Sequence, residues 1–157
     1  MDQVAHWVRF ADTKATILTA GLGVVMTMLM TNSGKVVAAF THGSPAVCAM
    51  VILGGGAAAA FVYTLYWLVR AIGPQSQVPY IALNRFAWPT LSKATPAMLM
   101  EHAERSDVSV DAWQQVIDLS GIAQRKFAAC GQAVRGFAVV VVLAVACVAT
   151  AVAITHT

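Results

Sequence analysis

Charge is what this chain has least of. Asp, Glu, Lys and Arg make up 11% of the residues, where a soluble domain carries about 25%. With 59% hydrophobic residues gathered in long uncharged runs, the deficit excludes an ordinary soluble globule and places the chain in the membrane class. Cysteine is sparse too. Cys48, Cys130 and Cys147 lie far apart, and no two have metal-site spacing. Cys48 and Cys147 fall in apolar runs, where cysteine behaves as a small hydrophobe. No disulfide and no metal are expected. The formal net charge of +3 is small. It bears on orientation in a membrane and does not call for a nucleic-acid partner.

Catalytic signatures are missing as well. The chain has no Gly-x-Ser-x-Gly, no His-Glu-x-x-His and no Gly-x-x-x-x-Gly-Lys, and each of these carries a specific chemistry. His6, His42, His102 and His156 are scattered and read as surface or interface residues. Glu101, Glu104, Asp107 and Asp111 read as a solvated face. No general acid/base pair can be assigned, so neither an enzyme nor a cofactor is expected. There is no internal repeat and no low-complexity tract.

What is present is apolar helix. Residues 15–30 run uncharged for about 24 Å at about 1.5 Å per residue, a little short of a hydrocarbon core of ~30 Å. Residues 1–14 carry Val4, Trp7, Val8 and Ala11 at helical spacing and predict a surface helix continuous with that span. Asp12 and Lys14 then sit at headgroup level. Lys14 can snorkel, and Arg9, three residues before Asp12, is its expected partner. A signal peptide would need small residues at a cleavage site after the apolar run. Thr31-Asn32-Ser33-Gly34 is a poor one, so the run is expected to stay as a span.

Turn-type residues at both ends of 31–45 predict a loop. Residues 46–69 are uncharged over about 36 Å of helix, enough to span with tilt. Gly54-Gly55-Gly56 lies in the middle, where small residues favour close helix packing. Phe61, Tyr63, Tyr66 and Trp67 followed by Arg70 mark an interface. Gly73-Pro74 through Pro79 reads as a linker. Thr95 before Pro96 predicts a helix start, with an end near Ser106-Asp107 and Ser109 capping the next helix. No stop precedes the last apolar run, 136–155, which is about 30 Å long. One helix from about Val110 to about Ile154 is therefore expected, half in water and half in lipid.

The expected fold class is an all-α membrane protein with three transmembrane helices, 15–30, 46–69 and 136–155. Arg9 and Lys14 precede the first span, and Arg70, Arg85, Lys93, Arg105, Arg125, Lys126 and Arg135 lie between the second and third. The positive-inside rule puts the N-terminus and a helical segment, 70–135, in the cytoplasm, and the 31–45 loop on the periplasmic side.

Two sets of residues stand out. Thr16, Ala20, Gly23 and Thr27 share one face of the first span, and Thr19, Gly23 and Thr27 form a small-xxx-small repeat. That face reads as a packing seam within one chain or as an interface between subunits, and three spans bury little of it, which favours a homo-oligomer. In the polar segment, Asn84, Arg85 and Trp88 form one group. Arg binds phosphate bidentately, Asn reads a base edge and Trp stacks on a base. The alternative is a helix cap with Trp88 at the membrane interface. Gln114, Asp118, Gly121 and Arg125 form a stripe on the last helix. Lys126 and Arg135 lie near the membrane surface, where anionic lipid attracts cations.

Ala-Asp-Thr-Lys-Ala-Thr opening into a first span (Asp12, Lys14) resembles the start of the Pycsar transmembrane effectors. So does Asn-Arg-Phe-Ala-Trp-Pro after the second span (Asn84, Trp88). So does Asp-Leu-Ser-Gly-Ile-Ala-Gln-Arg-Lys-Phe before the last (Asp118, Arg125, Lys126). The resemblance covers nearly the whole chain. It implies an inner-membrane effector in anti-phage defence, encoded beside a pyrimidine cyclase whose product, cyclic UMP or cyclic CMP, it senses. Membrane integrity is then lost and the infection aborts. The implied ligand-binding residues are Asn84, Arg85, Trp88, Asp118, Arg125 and Lys126. The expected membrane or assembly face joins Asp12 and Lys14, which carry the resemblance, to Thr16, Ala20, Gly23 and Thr27, which share a helix face by spacing. A ligand-independent membrane scaffold is the alternative, with the lipid bilayer as partner in either case.

Overall fold

A computed structural model describes residues 2–73 and 83–156, and at 2–8, 11, 88 and 156 the description covers the backbone alone. Six helices and no strands appear among the described residues: α1 (Asp2–Thr31), α2 (Ser33–Ala39), α3 (Ser44–Ile72), α4 (Trp88–Leu91), α5 (Pro96–Arg105) and α6 (Val108–His156). Three of them, α1, α3 and α6, are long and apolar enough to cross a membrane. The chain is an all-α membrane protein of the expected class.

The longest element organises the rest. α6 is 49 residues long and unbroken, about 73 Å. It packs most extensively on α3, next on α1 and then on α2, while α1 and α3 meet sparsely. The main core lies along α6, where Ala129, Cys130, Ala133, Val140 and Ala144 meet Ala15, Leu22 and Val25 of α1 and Leu68 and Ala71 of α3. Alanine along this face of α6 lets the neighbouring backbones come close.

At Gly136, α6 packs directly against α3. A Cβ there would lie 2.5 Å from Thr64 Oγ1 and 2.9 Å from Tyr63 Cδ1. Thr64 is fully buried, and its hydroxyl donates to Ala60 O at 2.7 Å. An apolar interior requires that kind of internal partner. Tyr63 Oη donates to Gln132 Oε1 at 3.1 Å across the same seam.

The expected loop at 31–45 contains a helix, α2, of seven residues. The turn signals at its two ends hold. Asn32 Nδ2 donates to Met28 O, and Gly43 has φ +96°, which a glycine adopts without strain. Between them, Val36 and Ala39 pack on Met50, Cys147 and Ala151, and burying them favours a helical turn over open loop.

Thr95 caps α5 as expected, accepting from Met98 N–H at 3.4 Å. The cap of α6 differs. Asp107 Oδ1 accepts from Ser109 N–H at 3.1 Å, so Asp107 is the capping residue and Ser109 lies inside the first turn. The surface helix expected at 1–14 is the first part of α1, although Val4, His6, Trp7, Val8 and Ala11 have side chains outside the described residues. The 74–79 linker also lies outside them.

Candidate functional site

The polar end of α6 is held in a hydrogen-bonded hub built on Asp111. Asn84 begins it. Its Oδ1 accepts from Phe86 N–H at 2.8 Å, an Asx turn that bends the chain back on itself. Thr90 Oγ1 donates to Asn84 O at 2.9 Å. Asn84 Nδ2 then donates to Asp111 O at 2.9 Å. This turn aims Arg85 at the α5–α6 junction, where Nε donates to Asp111 Oδ2 at 2.7 Å and Nη2 to Ser106 O at 2.8 Å.

Two more groups converge on the same carboxylate. His102 Nε2 lies 3.0 Å from Asp111 Oδ2, and Ser106 Oγ donates to Oδ1 at 3.2 Å. Ser106 and His102 both face the carboxylate, so the trio is not arranged as a nucleophile with its base. The Asp111 side chain is 6% exposed, against 22% for Arg85 and 21% for His102. Burial, the largest single influence, pushes the Asp111 carboxyl up. The hydrogen bonds from Arg85, His102 and Ser106, with the nearby His102 charge, together outweigh it and hold the group below its ordinary value. The expected solvated acidic face is thus corrected at Asp111, which is buried because Arg85 pairs with it and His102 and Ser106 hydrogen-bond it there. One turn on, Gln115 is also buried, and its Oε1 has no hydrogen-bond partner.

Asn84 and Arg85 are therefore joined in one site. The Trp88 side chain lies outside the described residues. Asp118 and Arg125 lie further down α6, held by local contacts. Gln114 Nε2 donates to Asp118 Oδ1 at 3.0 Å, and Arg125 Nε to Gly121 O at 3.2 Å. Lys126 is elsewhere again. Its Nζ lies 2.7 Å from Asp12 Oδ1, joining α6 to α1. This corrects the expected Arg9–Asp12 pair: Lys126 reaches Asp12 from the packed helix, whereas Arg9 is exposed. Lys14 lies over the Phe10 ring at 4.5 Å.

Of the two readings of the small-residue face of α1, the seam within one chain is not what the structure has. Thr16, Thr19, Ala20, Gly23 and Thr27 are all exposed, and a Cβ on Gly23 would meet nothing within 4 Å. The packing seam within the chain is formed instead by Ala15, Leu22 and Val25, and Leu22 and Val25 bury more apolar area than Gly23 or a threonine. Beside it, Met26 and Leu29 of α1 with Gly54, Ala58 and Phe61 of α3 line an apolar groove of about 390 Å³.

A family model, the Pycsar effector protein domain, matches residues 1–154. The chain belongs to the Pycsar effector family. No curated protein matches it, and no solved structure does. As a Pycsar effector it is a membrane protein with an effector role in the Pycsar anti-phage system. His102, Ser106, Asp111 and Gln115 were not visible as site residues in the sequence. Asp111 and His102 are nine positions apart, and the turn between α5 and α6 is what brings them together.

Proposed function

We propose that this Pycsar effector is a non-enzymatic sensor and membrane-damaging device, activated by cyclic UMP or cyclic CMP. The 83–135 region and the N-terminus face the cytoplasm of the inner membrane, as the distribution of basic residues supports. Arg85 takes the phosphate of the monoanionic ligand, and Asn84 or Gln115 reads the base edge. Trp88 stacks on the base, and Asp118, two turns along α6 from Asp111, serves as an outer contact, whereas Arg125 and Lys126, about 21 Å or more along α6 from Asp111, are too far away to share that ligand. One observation carries the proposal. The hub that holds Asn84 and Arg85 is fastened to the first turn of α6, and α6 continues without a break into the third apolar span. A change at the hub therefore has a rigid element through which to act. The exposed face at Thr16, Ala20, Gly23 and Thr27 suits contact with further copies of the chain, and ligand binding favours the assembled, membrane-damaging state.

Thermal stability of the detergent-solubilised chain, measured with cyclic UMP, CMP, AMP and GMP in turn, tests the sensor. A ligand that binds the folded state alone stabilises it by ~2.7 kcal/mol at 100 times its Kd. Stabilisation by a pyrimidine and not by the purines is the expected result. No shift with any of the four, together with no direct binding, favours the ligand-independent scaffold.

A further inference from the structure

The hub has the composition of an anion site, and the anion in it is the protein's own. Arg85 Nε, His102 Nε2 and Ser106 Oγ all lie within 3.2 Å of the Asp111 carboxylate. A phosphodiester monoanion presents the same charge and the same acceptor oxygens to such donors. We propose that Asp111 is an internal occupant of the ligand's phosphate site, which closes the site at rest and is displaced when the phosphate takes Arg85, His102 and Ser106. The inference rests on the sensor proposal and adds its regulation.

Three features of the geometry support the exchange. The first is access. Arg85 and His102 are each about one-fifth open to solvent while the carboxylate between them is nearly sealed. An arriving anion therefore meets the Arg85 and His102 donors before it meets Asp111. The second is balance. Replacing one anion by another leaves the Arg85 and His102 donors paired, and the released carboxylate regains water, so no buried charge is stranded. The third is consequence. Asp111 belongs to the first turn of α6, and its carboxylate ties that turn to Arg85 and His102. Displacement thus loosens the end of the helix that enters the third span. Gln115, one turn on, has a buried amide oxygen without a partner. Such an acceptor is satisfied by an N–H of a pyrimidine base.

Asp111→Asn tests the idea because it keeps the shape and removes the charge that competes. The apparent affinity of a site is reduced by the fraction of time it is closed. The variant in detergent is expected to bind cyclic UMP or cyclic CMP about tenfold tighter than the native chain by calorimetry. Bacteria expressing it without any cyclase are expected to depolarise. Unchanged or weaker affinity in a folded variant, with polarised cells, overturns the proposal. Should the variant fail to fold, hydrogen exchange on the native chain decides. Loss of protection over residues 108–112 on adding the nucleotide supports displacement, and unchanged or greater protection overturns it. A native chain that binds no nucleotide sinks the sensor reading by itself. Cyclase-free depolarisation by Asp111→Asn still reports separately on whether Asp111 holds the resting state.

Discussion

Lys126 of α6 and Asp12 of α1 form an ion pair at 2.7 Å, and its two ends differ in surroundings. The Lys126 side chain is 9% exposed and that of Asp12 45%. Removing one partner is therefore not equivalent to removing the other. A carboxylate left alone at a half-open position rehydrates, whereas an ammonium left alone among packed helices does not. Asp12→Ala is expected to lower stability by about 1–3 kcal/mol. Lys126→Met, which keeps the apolar stem, is expected to cost less than about 1 kcal/mol. The double variant is expected to recover most of the Asp12→Ala loss. Unfolding of the three variants in detergent checks the order, and equal losses from the two single changes would contradict it.

The tight contact between α3 and α6 at Gly136 gives a steric prediction. Gly136→Ala places a methyl against Thr64 Oγ1 and Tyr63, and overpacking of this kind costs about 1–3 kcal/mol. Thr64→Ala in the same chain is expected to return part of that loss by removing the nearer atom. Melting temperatures of the single and double variants measure it.

Gly23 is the matching control. Nothing lies within 4 Å of a Cβ there, so Gly23→Ala leaves the fold intact and gains up to about 1 kcal/mol of helix propensity. Gly23→Leu also leaves the single chain folded, but on the proposed assembly face it blocks close approach by a second copy. Crosslinking in native membranes is expected to show fewer oligomers for Gly23→Leu and no change for Gly23→Ala.

Much of the architecture was legible in the sequence because long uncharged runs have few other uses. The three long apolar helices, the Thr95 cap and the continuous last helix all follow from local pattern. The misses come from tertiary contacts that local pattern does not encode. Asp12 has Arg9 at good helical spacing, yet Lys126 arrives from a helix more than a hundred residues away. Asp111 looks like any solvated acid until the Asx turn at Asn84 aims Arg85 at it. α1 carries two stripes, and the small-residue stripe at Gly23 is the more conspicuous in sequence while Leu22 and Val25 fill the core. In the site itself, Asn84 and Arg85 were visible by type, but the carboxylate that holds Arg85 was not.

The hub carries a pH signature. Asp111 has its carboxyl held below its ordinary value in the folded chain by the hydrogen bonds from Arg85, His102 and Ser106. The unfolded chain then binds the proton more readily, so this contribution to stability is fully present above about pH 4 and is lost as pH falls through the lower folded value. Asp111→Asn is expected to flatten the stability profile below pH 4 relative to the native chain. A profile with the same acid slope in both proteins would remove Asp111 as its source.

The central claim is that a cyclic pyrimidine nucleotide turns a quiet membrane protein into one that breaches the bilayer. Reconstituting the purified chain in vesicles loaded with a self-quenched dye, with the hub facing outward, puts that claim to one measurement. Dye release on adding cyclic UMP or cyclic CMP, and none with cyclic AMP or cyclic GMP, is the result predicted. Release by none of the four, or equally by all, would contradict it.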